Sequence, residues 1–300
     1  MKKLAGGAIL FGLALGAAFP QPRSVSPKPR IVASILPLME FAKAVAGENA
    51  EVSLLLPPGA GVHTWQPRAS DIIRMSEADL FVHVGGGLEP WVDGFLESVA
   101  NERLRVVAVT DFLRLDKEEH SGKEAVDPHV WLDFGNDRTI VRRLAVTLAE
   151  IDAARAAAYS ESASAYDREL EELDRQYAEG LRSCPNRILL LAGHEAFGYL
   201  ARRYHLEHVS LSGLSPDAEP TPRAVVAIVE LARKRRIRSV FREAGESPKL
   251  AELLAGEIPA EVFVLSTGAA ISREELDSGT TFLDLMRKNL ISLRQGLGCE

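Results

Sequence analysis

Short apolar runs rich in Val, Ile and Leu recur through the first half of the chain, at Arg30–Leu36, Glu51–Leu56, Asp79–Val84 and Leu104–Val109. Runs of this length without strict polar alternation read as strands covered on both faces. Between them lie amphipathic segments, Met39–Ala46, Ala69–Ser76 and Trp91–Ala100, long enough for crossover helices. The second half repeats the scheme. Its apolar runs are Arg187–Ala192, Glu207–Leu211, Ile237–Phe241 and Ala260–Leu265, separated by Ala196–Tyr204, Pro222–Lys234 and Pro248–Ala255. This alternation predicts an α/β fold of two lobes, each with a four-stranded parallel sheet and flanking helices.

The halves are joined by Ala153–Ser183, which has one Gly, no Pro, and many Ala, Glu, Arg and Leu residues. Such a composition favours helix, and at 1.5 Å per residue it would extend roughly 45 Å, enough to brace both lobes as one long rigid linker. The alternative, a coiled-coil arm, fits poorly. The stripe of Tyr159, Tyr166, Leu170, Leu173, Tyr177 and Leu181 is one face wide and too brief for a dimer zipper.

At the start of the chain, Lys2 and Lys3 precede an apolar run from Leu4 to Phe19, with small residues at Gly16 and Ala18. This is the pattern of an export signal; the run is shorter than the roughly 20 residues a spanning helix needs. The cleavage region contains no Cys, so a lipid anchor is not indicated. The expected organisation is a signal at 1–18, a flexible segment at 19–29, a first lobe at 30–152, the linker helix at 153–183 and a second lobe at 184–300.

Charge narrows the partners. Lys plus Arg number 35 against 42 Asp plus Glu, a formal −7 that becomes about −9 once Lys2 and Lys3 are removed, which argues against nucleic acid. The basic run Arg233–Arg236 reads as the last turn of a helix, where cations meet the negative end of the dipole. Cys184 and Cys299 lie in no C-x-x-C or zinc-finger spacing. In an oxidising compartment they can form one disulfide, and sequence leaves their distance open.

Ligands of open parallel sheets bind beyond the carboxyl ends of the strands. Four loops there carry chemistry: Pro57-Pro58-Gly59-Ala60-Gly61-Val62-His63-Thr64-Trp65-Gln66-Pro67, Asp127-Pro128-His129-Val130-Trp131-Leu132-Asp133, Ala192-Gly193-His194-Glu195-Ala196-Phe197 and Leu265-Ser266-Thr267-Gly268. Three of the seven histidines, His63, His129 and His194, fall in these loops and come from both lobes. Neutral imidazole is the commonest metal-binding side chain, and three nitrogens make most of a tetrahedral zinc shell. One such histidine alone reads as structural; three in equivalent places point to a metal. Of the others, His83 lies within a strand, His205 and His208 flank a helix-to-strand turn, and His120 belongs to an acidic loop.

The segments P-P-G-A-G-V-H-T-W-Q-P, D-P-H-V-W-L-D and G-H-E-A-F-G-Y-L-A-R-R-Y, in this order, resemble the metal-binding solute-binding proteins of zinc and manganese ABC importers, from about Ile31 to Leu297. The resemblance implies two α/β lobes joined by a rigid helix, with the metal in the cleft. It also implies ligand roles for His63 and His129 from the first lobe and His194 from the second. Manganese-type members typically carry a carboxylate at the position of His194, so the histidine implies the zinc branch, with Mn2+ less favoured. One departure stands out. The family commonly supplies Asp or Glu after the last strand, where this chain has Ser266, and the residue before the first histidine is Val62. Water, Ser266 and Glu243 are the candidates for the fourth position, water first. The segment Asp116-Lys117-Glu118-Glu119-His120 is too sparse to imply a second metal site.

Three histidines plus water is also a catalytic zinc shell. A hydrolase is therefore the alternative, and a carrier of an organic solute a third reading. Gly198 stands where an H-E-x-x-H zinc protease needs its second histidine, and no G-x-S-x-G elbow or P-loop appears; Gly85–Gly87 reads as a turn. The expectation is an exported, periplasmic, monomeric zinc carrier that delivers its ion to the membrane permease of an ABC transporter, and no enzyme.

Overall fold

The computed structural model describes residues 27–120, 123–214 and 220–300; the export-signal reading lies outside the described residues. The first lobe runs β1 (Arg30–Ala33), α1 (Leu36–Ala46), β2 (Glu51–Leu54), α2 (Ala69–Ser76), β3 (Leu80–His83), α3 (Val92–Glu97) and β4 (Arg105–Ala108). Its strands pair in parallel in the order β2-β1-β3-β4. A hairpin, β5 (Lys117–His120) and β6 (Lys123–Val126), then leads to α4 (Phe134–Ile151) and α5 (Ala156–Gly180). The second lobe contains β7 (Ile188–Leu191), α6 (Gly198–Arg203), β8 (Glu207–Ser210), α7 (Pro222–Arg235), β9 (Ser239–Glu243), α8 (Lys249–Glu257), β10 (Glu261–Leu265), α9 (Arg273–Asp277) and α10 (Phe282–Leu297). Its four strands are again parallel, in the order β10-β9-β7-β8. The fold is the two-sheet α/β architecture that the apolar runs predict.

The strands are trimmed or shifted by one to three residues relative to the sequence reading, at two of them for clear local reasons. β1 ends at Ala33 and not Leu36, because the chain turns into α1 at Leu36 with Pro37 in the first helical turn, where its missing N–H costs nothing. β9 starts two residues late. Arg236 takes the left-handed conformation after α7 (φ 54°), and the Ile237 N–H donates to the Ala232 carbonyl at 2.9 Å, so both residues still close the helix. The shift places Glu243 at the carboxyl end of β9.

The long helix α5 is shorter than Ala153–Ser183 at both ends: Ala153–Arg155 form a separate 3-10 turn, and the helix proper would extend about 37 Å. Tyr159, Leu170, Leu173, Tyr177 and Leu181 are buried in one apolar cluster that continues into α1 and β1 on one side and α10 on the other. Tyr166 is only partly buried. Burial on both sides makes the helix a brace. The Tyr177 hydroxyl donates to the Met286 carbonyl at 2.5 Å, and Arg203 of α6 pairs with Asp174 of α5. Cys184, just past the brace, is disulfide-bonded to Cys299 after α10. Near the cleft the lobes are tied directly: the Trp131 indole N–H donates to the Thr267 carbonyl at 2.7 Å and the Gly59 N–H to the Ile271 carbonyl at 2.8 Å. Among the described residues no helix is long and apolar enough to cross a membrane.

Candidate metal centre

In each sheet the chain reverses direction of growth beside its first strand, between β1 and β3 and between β7 and β9. Crevices open beyond the carboxyl ends of strands at such switch points. His194 follows β7 by three residues and Glu243 ends β9, so the two flank the crevice of the second lobe. The Ala192 N–H still bonds to the Phe241 carbonyl at 2.7 Å, which holds the start of the His194 loop in line with the sheet. A Cβ at Gly193 would stand 3.0 Å from a Glu246 carboxylate oxygen, so the glycine lets that carboxylate pass close over the loop.

His63 lies in the Pro- and Gly-rich loop after β2. The Trp91 indole N–H donates to the neighbouring Val62 carbonyl at 3.3 Å, and Trp91 meets Trp65 edge to face with centroids 4.9 Å apart. Two large rings thus fix a loop with no regular ladder of its own. His129 is held more tightly. Its backbone N–H and its ring Nδ1 both bond to Asp127 Oδ1 at 2.9 Å. An ionised carboxylate only accepts, so Nδ1 carries the proton and Nε2 keeps a lone pair for a cation.

The three imidazoles meet. Ring centroids are 5.9 Å apart for His63 and His129, 5.8 Å for His63 and His194, and 5.3 Å for His129 and His194. One potential donor atom from each lies within 4.8 Å of the others. They line a cavity of about 200 Å3 with Glu243, Glu246 and Thr267. His129 and His194 are buried, and neither ring nitrogen of His194 has a hydrogen-bond partner. A buried polar ring left without partners is costly, and a cation would satisfy it.

The electrostatics differ around the three. Burial, then the two other imidazoles, pushes His63 down to about 4, and burial also lowers His129 despite Asp127. Burial alone would lower His194 as well, but Glu246 at 3.3 Å and Glu243 at 3.6 Å from its Nδ1 outweigh it and raise its pKa. Burial pushes the Glu243 carboxyl up to about 7, although the Thr267 hydroxyl donates to its Oε1 at 2.6 Å.

The candidates for a fourth donor separate. Ser266 does not line the cavity; its hydroxyl accepts from the Gly268 N–H at 3.1 Å and its backbone is held by Asn289. Glu243 does line it, with Oε2 buried and without a partner. Glu246 was not anticipated, although two acids three apart across Gly245, directly after a strand, were a readable signal. Glu89 was missed too. It accepts from the Ser34 hydroxyl at 2.6 Å and from the Val84 and Gly85 N–H groups at 2.9 Å, and it acts electrostatically on His63. The left-handed Gly85–Gly87 turn followed by an acid is its signature. Three other histidines stay outside the cluster: His83 stacks on Phe81, His205 sits at the turn before β8, and His208 pairs with Glu195 at 3.2 Å.

Residues 31–296 match the family described as the periplasmic component A of the zinc-uptake complex, ZnuA. The chain belongs to this family. It is 30% identical over 281 residues to the high-affinity zinc uptake system protein ZnuA of Bacillus subtilis, covering 90% of this chain and 88% of that one. The zinc-binding lipoprotein AdcA of Streptococcus pneumoniae is 32% identical over 279 residues, which is 89% of this chain and 56% of AdcA; the chain therefore spans little more than half of that relative. The crystal structure of the Zn(II)-bound ZnuA-like domain of the same AdcA superposes with a TM-score of 0.77 at 31% identity, covering 90% of this chain and 99% of the domain. This ZnuA-family chain shares with that domain a fold that extends over both lobes and the brace.

Proposed function

We propose that this protein is an exported carrier that takes up Zn2+ in the interlobe cleft through His63, His129 and His194 and presents it to the membrane permease of an ABC importer. The observation that carries this reading is the meeting of three imidazoles from both lobes within one cavity. Three neutral nitrogens suit Zn2+ better than Mn2+, which favours oxygen donors. A high-affinity zinc uptake protein and a Zn(II)-bound domain among its relatives support the same choice. The cation is cargo and not a catalyst: the chain would bind and release it as a monomer, in the periplasm, without turning over a substrate.

Metal uptake would draw the three rings together from their present spacing, and the brace packed on both lobes would limit the accompanying lobe movement. The test is the zinc stoichiometry of the purified protein. One Zn2+ per chain in the wild type, lost in the His63→Ala variant, with no esterase turnover, supports the reading. A wild-type protein that binds no zinc, or a zinc-loaded form that hydrolyses esters, overturns it. Scattering profiles of apo and loaded forms should be nearly superimposable.

A further inference from the structure

Three imidazoles leave one position of a tetrahedral zinc shell unfilled. The cavity offers two carboxylates, Glu243 and Glu246, with Ser266 outside its lining. Ser266 is turned into its own loop, with its hydroxyl committed to Gly268. Glu243 is clamped through Oε1 by Thr267 at the end of β9. Glu246 stands on the turn beyond, after Gly245 (φ 86°), with its side chain about one-third exposed at the cavity mouth. Its carboxylate contacts the ring of His194 and passes over Gly193, and it also acts electrostatically on His63 on the opposite wall.

The turn that carries Glu246 is held from below. The Arg242 guanidinium donates to the Glu243 carbonyl at 3.1 Å and to the Glu246 carbonyl at 3.4 Å. The backbone of the turn is thereby held in place, with the carboxylate resting against His194. Spacing is compatible with this: Glu246 Oε1 lies 3.3 Å from His194 Nδ1, an ion-pair distance that is also about the separation of two donors on one tetrahedral zinc at about 2.0–2.1 Å. His194, about 95% buried, has no hydrogen-bond partner at either nitrogen. His194, Glu243 and Glu246 form a second group able to hold a cation, and it shares His194 with the three-histidine group.

We propose that Glu246 supplies one carboxylate oxygen as the fourth donor to the zinc held by His63, His129 and His194, while Glu243 stays on Thr267 and acts on His194 only electrostatically, from outside the shell. The inference rests on the zinc-carrier reading above. A shell of three neutral nitrogens and one carboxylate carries net charge +1, leaves no open position for water, and so suits retention of cargo over catalysis. Because Glu246 reaches in from the exposed mouth, it is also the donor best placed to let go first when the ion is handed on.

Affinity alone does not identify a ligand, since loss of an outer hydrogen-bond partner also costs a metal site about 10- to 100-fold. The discriminating probe is azide on the Co2+-loaded protein, because a water ligand exchanges for azide and a protein carboxylate in a closed shell resists it. Wild type should give a cobalt absorption spectrum that azide leaves unchanged. Glu246→Ala should still bind one Co2+ or Zn2+, with Zn2+ affinity at least about tenfold weaker, and should now change its spectrum with azide. Glu243→Gln should bind more weakly yet remain azide-resistant, and Ser266→Ala should match wild type. A wild type as responsive to azide as Glu246→Ala, or a Glu246→Ala affinity within twofold of wild type, overturns the inference while leaving the three-histidine reading intact. Failure of that reading shows separately, as no metal bound to wild type.

Discussion

The two lobes share one strand order and divide the chemistry unequally. In both, the first strand lies inside the sheet, the second forms one edge, and the third and fourth extend the other side. The first lobe contributes two imidazoles and keeps its buried acids behind them: Asp127 bonds to His129, and Glu89 knits the ends of β1 and β3. The second contributes one imidazole with two carboxylates beside it, Glu243 and Glu246. Burial lowers His63 and His129 below their usual pKa, whereas the carboxylates beside His194 outweigh its burial and raise it. A repeated scaffold fixes where donors can stand; the loops decide their charge.

The sharpest break of this comparison removes donors from each wall in turn. His63→Ala, His129→Ala and His194→Ala should each weaken zinc binding by more than the about 10- to 100-fold that an outer partner is worth, measured by competition with a chromophoric chelator. His83→Ala and His205→Ala should bind as wild type, since neither belongs to the cluster. If only the first-lobe pair mattered, the cation would not bridge the lobes. A second asymmetry is covalent. The disulfide Cys184–Cys299 spans 115 residues and has no counterpart in the first lobe. The Cys184→Ser/Cys299→Ser variant should lose about 2–5 kcal/mol in urea unfolding while native protein keeps one zinc per chain, because the bond lies at the foot of the brace and away from the cavity.

Much of this division was legible in the sequence. The apolar runs yield both sheets, since parallel strands covered by helices need continuous hydrophobic stretches. Three histidines stand out because each follows a strand in a loop rich in Gly or Pro, or opens it after an acid. What sequence hid was set by caps and turns. The left-handed Arg236 delays β9 by two residues and so brings Glu243 to the strand's end. Glu246 depends on the sharp turn at Gly245. The hairpin β5–β6 escaped notice because Lys117–His120 and Lys123–Val126 lack the apolar alternation that marks a strand. The helices α4 and α10 also went unread, although their starts carry a signal: Asp133 caps the Gly135 and Asn136 N–H groups, and Thr281 forms a capping box with Asp284.

The charge difference between the walls gives a pH signature. Zinc competes with protons for each ring nitrogen. His63, pushed down to about 4, is neutral across pH 7.5–5.5, and His129 is lowered in the same sense. His194 is raised, so it takes up a proton above the ordinary value of 6.5 and must release it to coordinate. Zinc affinity should therefore fall by about tenfold per pH unit below the His194 titration, one proton per zinc and not three. Isothermal titration in buffers of different ionisation enthalpy counts that proton. Three protons released, or a flat affinity over this range, would mean that the walls are electrostatically alike. Glu246→Ala should move the onset of the fall to lower pH, because the acid that raises His194 is gone.

The smallest expected effect lies where the brace meets the lobes. On the second-lobe side Asp174 of α5 accepts from the Arg203 guanidinium and from the Tyr204 hydroxyl at 2.7 Å, and its pKa is lowered. On the first-lobe side Asp167 is matched by Arg138 and Arg142, but Asp137 of α4 is fully buried with neither carboxylate oxygen hydrogen-bonded among the described residues. Burial, and then the nearby Asp133, raise Asp137 well above its model-peptide value of 3.8, with Arg203 opposing. The sign follows. Below pH 3.8 the carboxyl is protonated in both folded and unfolded chains and contributes no difference. Above it, the unfolded chain ionises while the folded one does not, so the native state loses stability as pH rises toward the folded pKa. Asp137→Asn keeps the shape and removes the ionisation. It should raise the melting temperature by a few degrees at pH 7, with the gain shrinking to nothing near pH 3.5 and zinc affinity unchanged. An Asp137→Asn variant less stable at pH 7 would show that the Asp137 carboxylate, like that of Asp174, is answered in the folded protein.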